Sequence, residues 1–366
     1  WARVLRDSTS EHLILTPSLV ELQQGADLVL TLDTRIQYWV KQYLKDTIEK
    51  YRAKNGSVVV MNAQNGEILA LANSSSSDSE KNNVYFSKNN AVTDMFEPGS
   101  VFKIVTLVAA LSEKIPFGEI DCEQGKFKIP GTVLNDYRPY GKLSFQEVFY
   151  NSSNIGVAKI ATTVGHKKIY NYIEKMGFGQ KTGVDFPGET KGRLIQLDKW
   201  SKTARYIIPI GQGVGVNLLQ LVRAVAVIVN GGDLVTPHLG KSLCAKGFCR
   251  EIKYDFKKDI VSAETADKAK EILIKVVSQG TGRRAKISGE LIGGKTGTAQ
   301  KYDLNLGRYS PNRYRANFIG FVDNIKKPIV IGVTIDEPKT SHFGGVVAAP
   351  LFKKIAEKVI SYELFE

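Results

Sequence analysis

The sequence has 366 residues, of which 43% are hydrophobic and 24% are charged, a composition typical of folded globular proteins. It contains no run of about 18 uncharged apolar residues, so a membrane-embedded fold is excluded together with a disordered chain and a coiled coil. The net charge of +13 reflects 50 basic and 37 acidic side chains. They are scattered, without the basic stripe of a nucleic-acid-binding protein, and we expect no nucleic-acid partner.

The N-terminal third predicts a short leading region followed by a helix and a hairpin. Residues 1–30 lack clear periodicity, and we expect them to be the tail of a preceding region. Apolar residues recur at helical spacing from Ile36 to Ile48, directly after Asp33, which predicts an amphipathic helix. Two apolar strands, 57–62 and 67–72, follow around a turn at Asn65-Gly66. The Ser- and Asn-rich stretch 73–83 predicts a mobile loop.

The middle of the chain predicts a largely helical region, because turn and cap residues separate its apolar segments. Pro98-Gly99-Ser100 suits the first turn of a helix, and Asn217 suits the N-cap of another. The predicted helices are 98–111, 144–150, 154–163, 167–176, 218–229 and 263–278.

The C-terminal part changes character, because strand-like segments replace the helices. The predicted strands are 291–300, 317–323 and 328–336, and a helix at 351–362 closes the chain. Strands near both ends predict one sheet built from both termini, with a helical lobe at roughly 100–230 inserted between them. A cleft between two such lobes is a natural place for a site. The segment 300–315, rich in Tyr and Arg, is expected to be a mobile loop bordering that site.

The cysteines and histidines predict neither a disulfide framework nor a metal centre. The three cysteines are too few for such a framework. Cys244 and Cys249 flank a short turn, so one bridge or two free thiols both fit, and Cys122 is left over. The four histidines show no metal-ligand spacing. We expect no metal and no organic cofactor.

Three short motifs stand in order along the chain: S-x-x-K at Ser100 and Lys103, S-x-N at Ser152 and Asn154, and K-T-G at Lys295. Residues three apart on a helix share a face, so Ser100 and Lys103 have the geometry of a nucleophile and its base. Each motif alone is common by chance. Their combination resembles the active-site set of penicillin-binding proteins and serine β-lactamases.

Flanking segments extend this resemblance over nearly the whole chain from Thr31 onward, and they resemble the class B (monofunctional) penicillin-binding proteins. The lead-in to Ser100 resembles the division-type subgroup. One position departs from the usual pattern, since Asn217-Leu218 stands where the family has Thr-Pro. The segments are 31–37, 65–68, 94–100, 211–213, 230–232 and 343–350.

This resemblance implies an α+β fold of the penicillin-binding protein and serine β-lactamase type, with an antiparallel sheet flanked by helices and an inserted all-helical lobe. Residues 1–30 would be the tail of an N-terminal pedestal region, and 31–366 the transpeptidase domain. The whole protein would be anchored by an N-terminal helix at the outer face of the bacterial cytoplasmic membrane. Its partners would be peptidoglycan stem peptides, β-lactam antibiotics, a membrane glycosyltransferase and division proteins.

The resemblance also implies the catalytic roles. Ser100 would attack the carbonyl of the penultimate D-alanine, Lys103 would take its proton as a neutral amine, and Ser152 would relay a proton to the leaving amine. A second nearby cation and burial would both lower the pKa of Lys103. The backbone N–H groups of Ser100 and Thr298 would form the oxyanion hole.

The remaining family positions would bind substrate. Asn154 would hydrogen-bond the substrate backbone. Lys295, Thr296 and Thr298 would stand on an edge strand near the terminal carboxylate, and Gly297 would let that strand approach the substrate closely.

Alternatives from the same fold remain open at this point. A serine β-lactamase would need a deacylating base, and Glu189 lies near the spacing of that glutamate in class A enzymes. The surrounding 183–189 pattern is also common in transpeptidases. A D,D-carboxypeptidase or a penicillin-sensing domain without turnover would share the first half-reaction.

A nucleotide-binding enzyme is the alternative from another fold. The segment from Gly289 to Thr296 satisfies G-x-x-x-x-G-K-T, the phosphate-binding loop. That loop requires a strand before it and a helix after it. The segment before the motif, 283–288, is too short and polar for that strand. After the motif, Gly297, Gly307 and Pro311 disfavour the required helix.

Overall fold

The computed structural model describes residues 5–6, 12–13, 25–76, 88–303 and 307–363. The longest strands lie near the two ends of the chain, as the sequence predicts. In chain order the strands are β1 Leu5–Arg6, β2 His12–Leu13, β3 Asp27–Leu30, β4 Asn55–Asn62, β5 Ile68–Ser75, β6 Ile120–Asp121, β7 Lys126–Ile129, β8 Thr132–Asn135, β9 Lys142–Leu143, β10 Gly240–Ala245, β11 Phe248–Glu251, β12 Ile292–Asp303, β13 Arg308–Val322 and β14 Ile329–Asp336.

The helices occupy the middle of the chain and both flanks of the sheet. The N-terminal helix, the six middle helices and the C-terminal helix were all expected, and their bounds agree with the prediction within a few residues except that the C-terminal helix starts earlier. The α-helices are α1 Thr34–Tyr51, α2 Asn90–Thr93, α3 Lys103–Ser112, α4 Phe145–Tyr150, α5 Asn154–Val164, α6 His166–Lys175, α7 Ala204–Ile207, α8 Leu218–Val229, α9 Ala263–Ser278 and α10 Gly344–Glu363.

One antiparallel sheet joins the two ends of the chain in the order β12-β13-β14-β4-β5. This confirms the predicted sheet built from both termini. The strand that carries Lys295 lies at the edge of this sheet, as expected. An edge strand leaves one row of backbone groups available for pairing with another chain.

The central sheet has a hydrophobic layer on each face. Along β4, Val58 and Val60 belong to the cluster formed with α1 and α10, whereas Val59 and Met61 belong to the cluster formed with the helical lobe. Successive side chains of a strand point to opposite faces, so a continuous apolar strand can serve both layers. The catalytic motifs lie on the side of the helical lobe.

The inserted lobe is not all-helical, which corrects that part of the predicted fold class. β6 pairs with β9 and β7 pairs with β8, so two small antiparallel sheets interrupt the helices. β7 and β8 are joined by a tight turn in which Gly131 has φ +82°. The physical reason is that these short segments satisfy their backbone groups with each other before α4 begins.

The segment 300–315 is also different from the prediction, because its described part is a hairpin and not a loop. β12 and β13 stay paired beyond the motif, with Gln300 opposite Tyr314 and Tyr302 opposite Tyr309. The predicted loop at 73–83 begins later than expected, since residues 73–75 pair with β4. Residues 77–83 lie outside the described residues.

A second, smaller sheet has the order β11-β10-β3. Cys244 and Cys249 face each other across β10 and β11 and are joined by a disulfide bond, which decides between the two possibilities left open by the sequence. Asp27–Leu30 pairs with β10, while the proposed division of the chain at residue 30 stays a prediction. Within the described ranges, no helix has the length and apolar character needed to cross a membrane.

Candidate active site

Ser100 lies in a single turn of 3-10 helix, Gly99–Phe102, which continues into α3 at Lys103. The Lys103 backbone N–H donates to the Ser100 carbonyl. In a 3-10 helix, residues three apart are eclipsed, so the two side chains project from the same face. The local geometry therefore supports the pairing that the S-x-x-K spacing predicts.

The Lys103 ammonium is fully buried and points at the S-x-N motif. Its Nζ donates to the Ser152 carbonyl at 2.6 Å, to Asn154 Oδ1 at 2.7 Å and to Ser152 Oγ at 3.3 Å. No hydrogen bond joins Ser100 Oγ to Lys103 Nζ among the residues described. One of the three bonds of Lys103 must therefore be released before its amine can take the serine proton.

Ser152 links the two buried lysines. Lys295 Nζ donates to Ser152 Oγ at 2.7 Å, on the same oxygen that Lys103 approaches. The backbone of Ser152 is in the left-handed region with φ +59°, a conformation that costs about 1–3 kcal/mol for a non-glycine residue and is concentrated at functional sites. This strained turn holds the hydroxyl between the amines.

The two amines have depressed pKa values because they are buried together. Desolvation lowers the pKa of Lys103 to about 7, and the Asp136 carboxylate opposes that shift. Desolvation also lowers the pKa of Lys295, and repulsion from Lys103 adds to that shift. The Lys103 amine can therefore be neutral near neutral pH. Burial is the cause of the low pKa, as we expected from the sequence. The repulsion that we expected to act on Lys103 acts on Lys295, and the two groups titrate as a pair.

Asp136 is a component of the site that the sequence analysis missed. Its carboxylate accepts hydrogen bonds from Ser153 Oγ at 2.6 Å and from the backbone N–H groups of Asn154 and Ile155. It thereby caps the start of α5 and fixes the S-x-N turn. No sequence pattern identified it, because it lies in the strand-rich segment that we expected to be helical.

Asn154 makes one hydrogen bond through each end of its side-chain amide. Its Oδ1 accepts from Lys103, and its Nδ2 donates to the Asn135 carbonyl at 2.7 Å. Each of these bonds uses one of the two N–H groups or one of the two lone pairs of the amide, so the predicted contact with a substrate backbone requires neither bond to break. Asn154 lines the same small cavity as Ser100 and Thr298.

The K-T-G strand forms the opposite wall of that cavity, which has a volume of about 80 Å³. The Thr298 hydroxyl accepts from the Gly344 backbone N–H at 3.1 Å. The Thr296 hydroxyl shares a hydrogen bond of 2.8 Å with Thr281. The structure therefore brings Ser100, Asn154 and Thr298 together at one cavity and engages Thr296 with a neighbouring loop.

Gly297 has a packing role that the sequence did not predict. A Cβ atom at this position would lie 2.8 Å from both the Pro98 carbonyl oxygen and Val101 Cγ2. The missing side chain therefore lets the strand approach the turn that carries Ser100. We had expected the close approach to be toward substrate.

Gly211 supports the same turn from the other side. Its φ is +86°, and an added Cβ would lie 2.1 Å from the Gly99 carbonyl oxygen. Gly99 in turn donates its N–H to the Gly211 carbonyl at 3.1 Å. The G-x-G segment and the nucleophile's turn are thus in direct backbone contact.

Replacing Gly211 by alanine is expected to lower the free energy of unfolding by about 2–4 kcal/mol, because backbone strain adds to a clash with another backbone. The measurement is urea unfolding followed by circular dichroism. Gly289→Ala is the matched control, since Gly289 has φ +84° with no atom within 4 Å of the added Cβ. It should cost only about 1 kcal/mol. Equal losses in the two variants would contradict the contact.

Two alternatives from the sequence are disfavoured by their surroundings. Glu189 is buried, and its carboxylate accepts hydrogen bonds from the backbone N–H groups of Thr182 and Gly183. The carboxylate therefore stabilises a loop. Lys295 and Thr296 lie inside strand β12, whereas a phosphate-binding loop has a helix at this position. Asn217 caps α8 through a capping box with Gln220, so the departure from Thr-Pro preserves the helix start.

Comparison with known proteins places this geometry in a family. The sequence profile described as "Penicillin binding protein transpeptidase domain" matches residues 56–357. The chain is 36% identical over 346 residues to the stage V sporulation protein D of Bacillus subtilis, a match that covers 91% of this chain and 53% of the relative. This chain therefore spans about half the length of that relative.

Two further matches agree with the first. The chain is 36% identical over 343 residues to a probable peptidoglycan D,D-transpeptidase PenA of Neisseria flavescens, covering 91% of this chain and 82% of the relative. Among solved structures, the penicillin-binding protein 3 of Mycobacterium tuberculosis in complex with aztreonam superposes with a TM-score of 0.85 at 33% identity. That match covers 93% of this chain and 80% of the other.

Proposed function

This chain belongs to the penicillin-binding protein transpeptidase domain family, and from that premise we propose that it is a peptidoglycan D,D-transpeptidase working through a serine acyl-enzyme. The observation that carries the proposal is the Ser152 hydroxyl held between two buried amines, 3.3 Å from Lys103 and 2.7 Å from Lys295. This arrangement connects the proton acceptor of the nucleophile to the leaving group. The relatives of this chain support the same reaction, since one of them is named as a probable peptidoglycan D,D-transpeptidase.

In the first half-reaction, Ser100 Oγ forms a bond to the carbonyl carbon of the penultimate D-alanine. The neutral amine of Lys103 takes the hydroxyl proton, and the bond to the terminal D-alanine nitrogen breaks. Ser152 passes the proton to that nitrogen as it leaves. The backbone N–H groups of Ser100 and Thr298 would stabilise the oxyanion, each by about 3 kcal/mol of barrier.

In the second half-reaction, an amine of a neighbouring stem peptide attacks the ester carbonyl and gives its proton to Ser152, the bond between the carbonyl carbon and Ser100 Oγ breaks, and Lys103 returns a proton to that oxygen. Before the terminal D-alanine leaves in the first half-reaction, Lys295, Thr296 and Thr298 would bind its carboxylate, with Thr296 acting through its contact with the Thr281 loop. Asn154 would hold the donor backbone, and Gly297 would keep the strand against the catalytic turn. The engaged state of Glu189 favours a long-lived acyl-enzyme over β-lactam hydrolysis.

The whole protein would act at the outer face of the bacterial cytoplasmic membrane, anchored by a helix in a part of the protein that precedes this chain. A division-type role would give it a membrane glycosyltransferase and division proteins as partners. The sequence of the lead-in to Ser100 supports that role.

The proposal is tested by mixing the protein with excess benzylpenicillin and recording intact mass and antibiotic concentration over hours. A one-to-one adduct that persists, with little further antibiotic consumed, is expected. Continued consumption would indicate a hydrolase of the same fold. Antibiotic that survives without any adduct would overturn the acylation step.

Replacing Asp136 by asparagine is expected to shift the acidic limb of the acylation pH profile to lower pH. The Asp136 charge raises the pKa of Lys103, so its removal lowers that pKa further and the neutral amine persists in more acidic solution. The measurement is the benzylpenicillin acylation rate as a function of pH. Asp198→Asn, an exposed carboxylate of the same lobe, should leave the profile in place. A shift to higher pH in Asp136→Asn would contradict the role.

A further inference from the structure

Exposed apolar side chains are concentrated on the small sheet β11-β10-β3. Within the described part of the chain, five of the large apolar residues that are exposed belong to this sheet: Leu28, Val29, Leu30, Leu243 and Phe248. Phe248 is 83% exposed and directly follows the tight turn at Lys246-Gly247, where both residues have positive φ. A surface on which apolar groups are concentrated in this way is a candidate contact surface.

The two faces of this sheet differ in their side chains. Leu28, Leu243 and Arg250 stand opposite one another across the three strands. Phe248 lies two residues before Arg250 on β11 and therefore on the same face. Lys241 lies two residues before Leu243 on β10 and shares that face. We call the surface formed by these five residues the small-sheet face.

The acidic side chains of the sheet belong to its other face. Asp27 stands opposite Cys244, and Glu251 stands opposite Ser242, which is buried. The disulfide bond between Cys244 and Cys249 lies on that face too and ties β10 to β11. The small-sheet face therefore combines apolar and basic side chains, and its own strands place no carboxylate on it.

Four exposed cations lie on or beside the small-sheet face: Lys241, Lys246, Arg250 and Lys253. Among the residues that the structure describes, none of the four is paired with a carboxylate. A depression of about 720 Å³ beside β11 is lined by Leu243, Ile252, Arg250, Lys253 and Glu251. Its two cations outnumber its single carboxylate, so the depression favours a bound anion.

The size of the small-sheet face argues against a folded protein as its partner. Three strands about 4.8 Å apart, each about five residues long, cover roughly 250 Å². A stable protein–protein interface buries about 800 Å² of each partner. A bilayer surface needs less area, because a few inserted apolar side chains with cations around them give reversible binding.

We propose that the small-sheet face is a membrane-contact surface for an anionic bilayer, with Phe248 inserted at the interface and the surrounding cations on lipid phosphates. Apolar side chains that enter the headgroup boundary leave water, and cations near an anionic bilayer are attracted to it. This inference goes beyond the proposed reaction and rests on the proposed location of the protein at a membrane. Such a contact would fix the orientation of the catalytic cleft relative to the bilayer.

The test measures the partition of the 366-residue chain onto lipid vesicles by co-sedimentation. The vesicles are made of phosphatidylcholine alone or of phosphatidylcholine with about one third phosphatidylglycerol. We expect the partition coefficient for the anionic vesicles to exceed that for the neutral vesicles by about tenfold or more. A chain that stays in the supernatant with both kinds of vesicle would overturn the inference.

An apolar variant tests the insertion of the hairpin tip. Phe248→Ser should lower the partition coefficient for anionic vesicles about tenfold, because the ring no longer leaves water. Leu291→Ser is the matched control, since Leu291 is an exposed apolar residue just before β12, and it should leave the coefficient unchanged. Phe248→Trp should keep the binding and add a fluorescence shift to shorter wavelength when vesicles are added. Equal binding by Phe248→Ser and the unchanged protein would contradict insertion.

A charge variant separates the small-sheet face from the net charge of the chain. The double variant Lys241→Gln/Arg250→Gln should lower the partition coefficient about fivefold for each cation removed. Lys167→Gln/Lys181→Gln removes two exposed lysines of the helical lobe and should have little effect. Equal losses in the two double variants would assign the binding to the overall charge and overturn the inference.

Two further measurements distinguish the remaining outcomes. Light scattering over a range of protein concentrations tests for self-association, and a dimer that Phe248→Ser abolishes would overturn the membrane assignment in favour of a second copy. Benzylpenicillin acylation of the same variants should proceed at the unchanged rate, because none of the substitutions lies in the catalytic cleft. Failure of the proposed function would appear as a missing adduct in the unchanged protein, whether or not that protein binds vesicles.

Discussion

Replacing Ser100 by alanine is expected to abolish the covalent benzylpenicillin adduct, with the acylation rate falling by about five orders of magnitude or more. The change removes the single oxygen that forms the ester bond. It leaves the turn intact, because two backbone hydrogen bonds hold the turn. One runs from the Lys103 N–H to the Ser100 carbonyl, and the other from the Gly99 N–H to the Gly211 carbonyl. The measurement is intact mass after incubation with excess antibiotic.

Ser262→Ala is the matched control for this experiment. Ser262 is an exposed helix cap on α9, so this variant should form the adduct like the unchanged protein. Thermal unfolding of both variants checks that the fold is retained. An adduct of full yield in Ser100→Ala would show that another residue is the nucleophile.

Replacing Lys103 by methionine is expected to slow benzylpenicillin acylation by about 10²–10⁴-fold, the range for loss of a general base. Methionine has a similar length and suits the buried position, so the volume of the site is retained. Acylation by the unchanged protein should rise as the pH increases through about 7, since the pKa of Lys103 is lowered to about 7 by burial. The residual acylation of the variant should lack that rise.

Lys268→Met is the control for the lysine substitution. Lys268 is an exposed residue of α9 paired with Glu264, and its loss should change neither the rate nor the pH profile. The stopped-flow acylation rate between about pH 6 and 8 is the decisive measurement. A Lys103→Met variant that keeps the rise near pH 7 would assign the titration to another group.

The elements that the sequence predicted well are those whose signals are local. The cap at Asn217 and the apolar run of α8 lie within a few residues of each other, and the helix begins and ends where they indicate. Two of the errors have a common cause. β7 and β8 in the helical lobe, and the continuation of β12 beyond Gln300, are held by bonds to partner strands, which local periodicity does not reveal.

In the candidate site, too, the local motifs were predicted from the sequence and the contacts between distant segments were not. The motifs selected Ser100, Lys103, Ser152 and Asn154, which the structure brings to one cleft between the lobes. The contact of Thr296 with Thr281 and the packing of Gly297 against the catalytic turn depend on segments far apart in the chain. Such contacts have no signature in the spacing of a single motif.

The sequence by itself determined which chemical groups the protein has and the order in which they occur. The triplet of motifs indicates a serine nucleophile, an amine base and a carboxylate-binding strand. The tertiary structure decided the state of these groups. The pKa of Lys103 is low because packing against distant segments, among them the S-x-N motif, excludes water from it. Desolvation is a property of the packed site, and packing exists only after distant segments have met.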